Sequence, residues 1–310
     1  MEISILLLRQ IGSLVIMGLA GFWLRKMNFI SHDGSKGISA VGIYICTPCI
    51  LFMSFQTSIS QEKVIGFGYA LLAVVVVHIL FFTATWLIRK VYPLDGIEQA
   101  SVIYSNCGNL IIPLVTGVFG AEYIFYTSAY MFVANVLIWS HMVVTLRGGQ
   151  IEWKKIILHP CMLSMFAGIL FMVSGMPLPT VVQTALNSMG NCIGPLAMLL
   201  VGILIAECDM KKILLNRRIY IVTAFRLLAY PFLAILGAAL VYVLFPAAVD
   251  PVVYYIVVLG ASAPVATVVT QLSQISDLDS GYASSINVLT TLVSIVTMPL
   301  MIAAAQLFVR

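Results

Sequence analysis

SNCGNLIIPLVTG (residues 105–117) and LGASAPVATVVTQL (residues 259–272) are two stretches apolar enough to lie in a bilayer, each interrupted by a proline, Pro113 and Pro264. The two prolines stand 151 residues apart, at matching places in the two halves of the chain. In lipid every backbone N–H and C=O has to be satisfied within the protein. A proline removes one donor, and its ring clashes with the carbonyl four residues earlier. Such a break is tolerated only where it is buried in protein or lines a cavity. A matched pair of breaks points to the binding site of a secondary transporter.

The rest of the chain agrees with a membrane setting. Of 310 residues 61% are hydrophobic and 9% charged, where soluble domains carry about 25% charged, and mean hydropathy is +1.07. A soluble domain could not cover that much apolar surface, so the chain reads as an all-α polytopic membrane protein. At roughly 20 apolar residues per span, ten spans are expected. They fall at residues 4–24, 37–58, 64–88, 98–118, 121–146, 156–174, 179–206, 219–245, 251–273 and 282–308. The polar gap Arg147 to Lys155 follows the fifth span, so residues 1–146 and 156–310 are expected to be five-helix halves joined by a cytoplasmic linker at 147–155. Glu2 precedes the first span and Arg25 and Lys26 follow it, which fits a retained span rather than a cleaved signal peptide.

Charge gives the orientation. With the N-terminus outside, the cytoplasmic ends and loops hold 12 of the 16 Lys and Arg residues. These are Arg25, Lys26, Lys36, Arg89, Lys90, Arg147, Lys154, Lys155, Lys211, Lys212, Arg217 and Arg218. Lys63 and Arg310 fall outside, and Arg9 and Arg226 within spans. The bias places both termini outside a cell (inner or plasma) membrane. Because the basic residues sit in short loops, the net charge of +4 offers no nucleic-acid face.

Landmarks recur at a near-constant offset. Pro48 and Pro195 are 147 residues apart, His78 and Arg226 148, Pro113 and Pro264 151, and Asn135 and Asn287 152. Two halves of five spans each must be inverted relative to one another, the architecture of many secondary transporters.

These features resemble the auxin efflux carrier family, within the bile/arsenite/riboflavin transporter superfamily. The likeness is carried by Asn106-Cys-Gly-Asn109 followed by Ile-Ile-Pro113, by Ala-Ser-Ala-Pro264 followed by Val-Ala-Thr267, and by the run from Asn287 to Pro299. It covers essentially the whole chain. Bacterial members of that family are described as malate or malonate permeases and plant members as auxin carriers. The resemblance implies a scaffold of spans one, two, six and seven and a moving core of spans three to five and eight to ten. It also implies that broken helices four and nine cross near mid-membrane, that the core moves in an elevator-like way, and that the protein is a homodimer. The long cytoplasmic loop of some plant members is absent, so regulation through such a loop does not carry over.

The residues themselves indicate what a crossing would bind. Where a half-helix restarts, its first N–H groups lack intrahelical partners and its end carries roughly half a positive charge that favours anions. The neighbouring side chains are uncharged: Asn106, Asn109, Ser262, Thr267, Thr270 and Gln271, with no Asp or Glu beside either break. Together with Pro113 and Pro264 they form the expected binding site for a small organic anion, although Asn and Thr also serve to satisfy freed backbone groups. Asn109→Ala is expected to lower transport without unfolding the protein. Asn135 and Asn287, one span after each break, either reach the site or join helices. Arg226, deep in its span, either attracts the anion or supports the core through backbone carbonyls. His78 either relays protons or packs as a neutral imidazole.

Other classes fit poorly. Cys46-Thr-Pro-Cys49 lies in an apolar span with no strand context, and its proline reads as a helix break paired with Pro195. No cysteine or histidine spacing suits a metal, and no cofactor is expected. An enzyme would need paired carboxylates, a nucleophile or a metal cluster, yet acidic residues such as Glu98, Glu122, Glu207, Asp277 and Asp279 stand at span ends. The alternatives are an anion channel, because broken helices also line pores, and a sodium-coupled bile-acid-type symporter. Saturable countertransport and sodium dependence would separate these.

Overall fold

A computed structural model describes residues 2–58, 60–148, 151, 153–208, 215–244 and 249–309. Lys211, Lys212 and Arg310 of the charge count lie outside the described residues. The chain runs through α1 (Glu2–Lys26), α2 (Asp33–Ser54) and the long α3 (Gln61–Val91). The predicted fourth span is two short helices, α4 (Gly96–Ile103) and α5 (Ile112–Val118), with a π-turn, Cys107–Ile111, leading into the second. After α6 (Ala121–Arg147) come α7 (Pro160–Ser174), α8 (Thr180–Glu207) and α9 (Arg217–Tyr242). The predicted ninth span is again divided, into α10 (Pro251–Ser262) and α11 (Thr267–Ile275), and α12 (Ser280–Ala305) follows. Six of these helices, α2, α3, α6, α8, α9 and α12, are long and apolar enough to cross a membrane, and α7 and α10 are apolar but shorter.

Local chemistry sets the ends. Ser60 starts α3 by accepting from Lys63 N–H at 3.2 Å. Asp95 and Glu98 form a reciprocal capping box at α4. Gly148 and Gly175 end α6 and α7 in the left-handed conformation, with φ of 65° and 63°, where a side chain would be strained.

Pro48 does not break a helix as the sequence suggests. A π-turn at Gly42–Cys46 loosens α2 just ahead of it, and the helix continues to Ser54. The same device precedes Pro113 and, at Phe225–Ala229, Pro231. The wider turn gives the proline ring the room that an α-turn would deny it.

Packing is closest between α1 and α8, where a Cβ at Gly202 would overlap the Gly18 carbonyl oxygen and one at Gly21 the Leu199 carbonyl oxygen. Helices that touch backbone to backbone need glycine at these points. α10 is enclosed by α3, α6, α9 and α12, and every residue from Val253 to Ser262 is buried. Tyr69 donates to the Ala238 carbonyl at 3.0 Å and Thr85 meets Tyr230 at 2.6 Å, tying α3 to α9. Glu98, fully buried, receives Arg218 Nε and Nη2 at 2.7 and 2.6 Å and the Tyr282 hydroxyl at 2.7 Å. That links α4 to α9 and α12. Outward-facing Ile16, Trp86, Leu170, Val181 and Leu240 give the bundle the apolar surface a bilayer requires.

Candidate functional site

The two interruptions meet. Tyr104 to Asn106 and Ala263 to Ala266 run antiparallel with Ser105 opposite Val265. Asn106 N–H donates to the Pro264 carbonyl at 2.8 Å and Ala266 N–H to the Tyr104 carbonyl at 3.0 Å. Each extended segment thus satisfies the backbone groups the other leaves open. Pro264 suits this place. It holds the preceding Ala263 extended, with φ −63° and ψ 153°, and only its carbonyl is required. Asn287 and Thr290 clamp Val265 from α12: Asn287 Nδ2 donates to its carbonyl at 2.9 Å and Thr290 Oγ1 accepts its N–H at 3.3 Å.

Pro113 is not the break in the first half. It lies in the first turn of α5, past the π-turn, where a missing N–H is harmless. Its carbonyl accepts from Gln10 Nε2 at 3.4 Å, and it lines neither cavity described below.

Arg226 is fully buried and reaches backbone oxygens of both half-helices. Nε donates to Ala263 at 3.0 Å, Nη2 to Ala261 and Ala263 at 2.6 and 2.8 Å, and Nη1 to Val102 and Ile103 at 3.1 and 3.4 Å. These are the last carbonyls of α4 and α10, which have no intrahelical donor and carry the negative ends of two helix dipoles. Of the two sequence readings, the structure has the backbone one. The guanidinium borders neither cavity. The Ser262 hydroxyl donates to the Val258 carbonyl at 2.7 Å within α10, and the residue borders neither cavity. Asn287 holds Val265 rather than facing a cavity. His78 sets Nδ1 against the Val74 carbonyl at 2.8 Å between the Phe81 and Tyr130 rings, each 5.7 Å away, and reaches neither cavity as a relay would need to.

Two cavities flank the crossing. The larger, about 390 Å³, is bordered by Lys36, Ser39, Asn106, Glu207, Thr267 and Gln271. The smaller, about 180 Å³, is bordered by Tyr44, Asn106, Asn135, Trp139, His159, Thr267 and Gln271. Asn106, Thr267 and Gln271 belong to both. Gln271 Nε2 donates to Ser39 Oγ at 3.0 Å, a bridge from α11 to α2 on the wall of the larger cavity. Thr267 opens α11 and borders both cavities, so the positive dipole end of a nine-residue helix lies beside them. Thr270 also lines the larger one, and its buried hydroxyl oxygen has no hydrogen-bond partner among the described residues. Asn135 borders the smaller cavity with Nδ2 on the Met131 carbonyl at 2.9 Å. The backbone of Asn109 lies in the π-turn, but its side chain is outside the described residues.

Several lining residues were missed by the sequence reading. His159 stacks near Trp139 and Tyr44, with ring centroids 5.4 and 6.4 Å away. An open depression at Lys154 and Leu158 shares these three side chains with the smaller cavity and continues it to the surface. Glu207 brings a carboxylate to the larger cavity, away from the breaks, with Arg25 Nε 2.6 Å from it. Among the described residues no three His, Cys, Asp or Glu side chains converge as a metal set would.

Comparison with known proteins agrees with this picture. The family model described as membrane transport protein matches residues 8–152 and 143–302. An uncharacterized transporter of Methanothermobacter thermautotrophicus is 26% identical over 304 residues, covering 93% of this chain and 95% of that protein. An uncharacterized transporter of Schizosaccharomyces pombe is 23% identical over 106 residues, 33% of this chain and 24% of that protein. A multi-pass helical chain matched across both halves is a transport protein rather than an enzyme, and it belongs to the membrane transport protein family, that of the auxin efflux carriers.

Proposed function

We propose that this transporter carries small organic anions, dicarboxylates or auxin-like weak acids, across a cell membrane by alternating access at the crossing. One observation carries the reading: Asn106, Thr267 and Gln271 border both cavities at the point where the two breaks meet. A ligand held by these three side chains would sit where the two cavities meet. The positive end of the α11 dipole and the unpartnered Thr270 hydroxyl favour a carboxylate, and Lys36, paired with Asp33 at 2.9 Å, borders the larger cavity.

In this reading α1, α2, α7 and α8 are the scaffold. The core is formed by α3 to α6 and α9 to α12, as two inverted five-span repeats with both termini outside. The core slides against the scaffold in an elevator-like movement, each subunit of a homodimer on its own. The Gln271–Ser39 hydrogen bond crosses that sliding boundary and has to break in each cycle. Support comes from two antiparallel breaks joined by reciprocal backbone bonds and held from one side by Arg226. Such a unit can move as one body.

The test is ligand-dependent thermal stabilisation of the purified protein by malate, malonate and indole-3-acetate, with and without sodium. Stabilisation by at least one anion that is lost in Asn106→Ala is expected. Stabilisation only in the presence of sodium would favour a symporter. No stabilisation by any of the three would reject them as ligands.

A further inference from the structure

Between α1, α8 and α12 lies a cavity of about 230 Å³ whose character differs from those at the crossing. Leu14, Phe22, Met198, Val201 and Ile295 are among its walls. The polar side chains that reach it, Thr291 and Ser294, are engaged within α12, donating to the Asn287 carbonyl at 2.8 Å and the Thr291 carbonyl at 2.7 Å. A buried water needs two to four polar partners, and these walls offer it no free side chain. An apolar cavity of about 150 Å³ already admits benzene, so this one has room for several methylenes of a chain. Leu19 lines it and is 61% exposed on the outer surface, so the cavity opens sideways to the surface a bilayer would cover.

A charge stands at one end. Lys26, a helical turn beyond Phe22, holds Nζ 5.6 Å from the Phe22 ring centroid. Arg25 is already paired with Glu207 at 2.6 Å, which leaves Lys26 to meet an incoming anion. An apolar slot open to lipid, with a cation at its end, complements an amphiphile that has an anionic head and an apolar tail.

We propose that this cavity seats one acyl chain of an anionic phospholipid, whose headgroup phosphate is held by Lys26. The site joins α1 and α8 to α12, so an occupied cavity bridges the helices proposed above as scaffold and core. The binding itself does not depend on what the protein transports.

The test is native mass spectrometry of the full chain in mild detergent, titrated with phosphatidylglycerol or with phosphatidylcholine of the same acyl composition. The wild type is expected to retain one phosphatidylglycerol in preference to phosphatidylcholine by about fivefold, the factor one lysine contributes near an anionic lipid. Lys26→Gln, an exposed change, should abolish that preference, and Val15→Phe, which fills the cavity, should abolish retention itself. Circular dichroism checks that each variant is folded. If Val15→Phe does not fold, Lys26→Gln alone decides. Equal retention of the two lipids by the wild type, or an undiminished preference in Lys26→Gln, would overturn the proposal.

Discussion

Replacing Arg226 by methionine tests whether the paired breaks depend on one side chain. The guanidinium serves four carbonyl oxygens, those of Val102, Ile103, Ala261 and Ala263. A buried acceptor left unsatisfied costs about 1–3 kcal/mol, so the gross loss is several times that. Against it stands the cost of burying the charge itself, several kcal/mol in a protein interior. The partners are neutral carbonyls, so no charge is left behind, and the balance of the two terms is a net loss on the order of 3–5 kcal/mol. At about 2 °C per kcal/mol, a low figure suited to a large chain, the melting temperature should fall by about 6–10 °C. Arg226→Lys should recover only part of this, because an ammonium cannot fork to two helix ends at once. The assay is thermal unfolding in one detergent for wild type and both variants, together with anion binding at a temperature where all are folded. A methionine variant that melts like the wild type yet no longer binds anion would refute the reasoning and return Arg226 to the ligand.

Three further outcomes are expected. Gly202→Val should abolish folding or sharply lower yield, because the new side chain meets the Gly18 backbone, whereas Gly12→Ala, with no atom within 4 Å, should leave melting unchanged or slightly raised. Asn106→Ala should weaken anion binding about tenfold to a hundredfold, the loss of one hydrogen bond to a charged group, with little change in melting measured without ligand. Glu98→Gln should cost about 1–2 kcal/mol, read as a lower melting temperature. The carboxylate is fully buried, but Arg218 is 44% exposed and water recovers part of the loss.

Much of the fold was legible because bilayer physics leaves few choices. Apolar runs of span length, with charges between them, gave the helices and most of their limits. Pro264 marked its break correctly, since a proline holds the residue before it extended wherever it stands. The partner break was not legible. Tyr104 to Asn106 contains no proline, and its extended form is imposed by pairing with Val265, a contact across half the chain. Pro113, the obvious landmark nearby, is accommodated by a π-turn and breaks nothing. Asn106, Thr267 and Gln271 stood out in the sequence as uncharged polar groups beside a break, and the fold places all three along the cavities at the crossing. Tyr44, Trp139 and His159 were not, because aromatic residues and a lone histidine in apolar spans look like packing until the fold gathers them. For Arg226 the sequence supplied both readings, and only the positions of four carbonyls separate them.

The central claim is that the crossing is an alternating-access site for an organic anion. Counterflow tests it most directly: proteoliposomes loaded with unlabelled malate, diluted into a trace of labelled malate, with malonate and indole-3-acetate as competitors. The expected result is transient accumulation of label above equilibrium, saturable, suppressed by a competitor and lost in Asn106→Ala. Label that equilibrates without overshoot and without saturation, in vesicles holding folded protein, would contradict a carrier and indicate a channel.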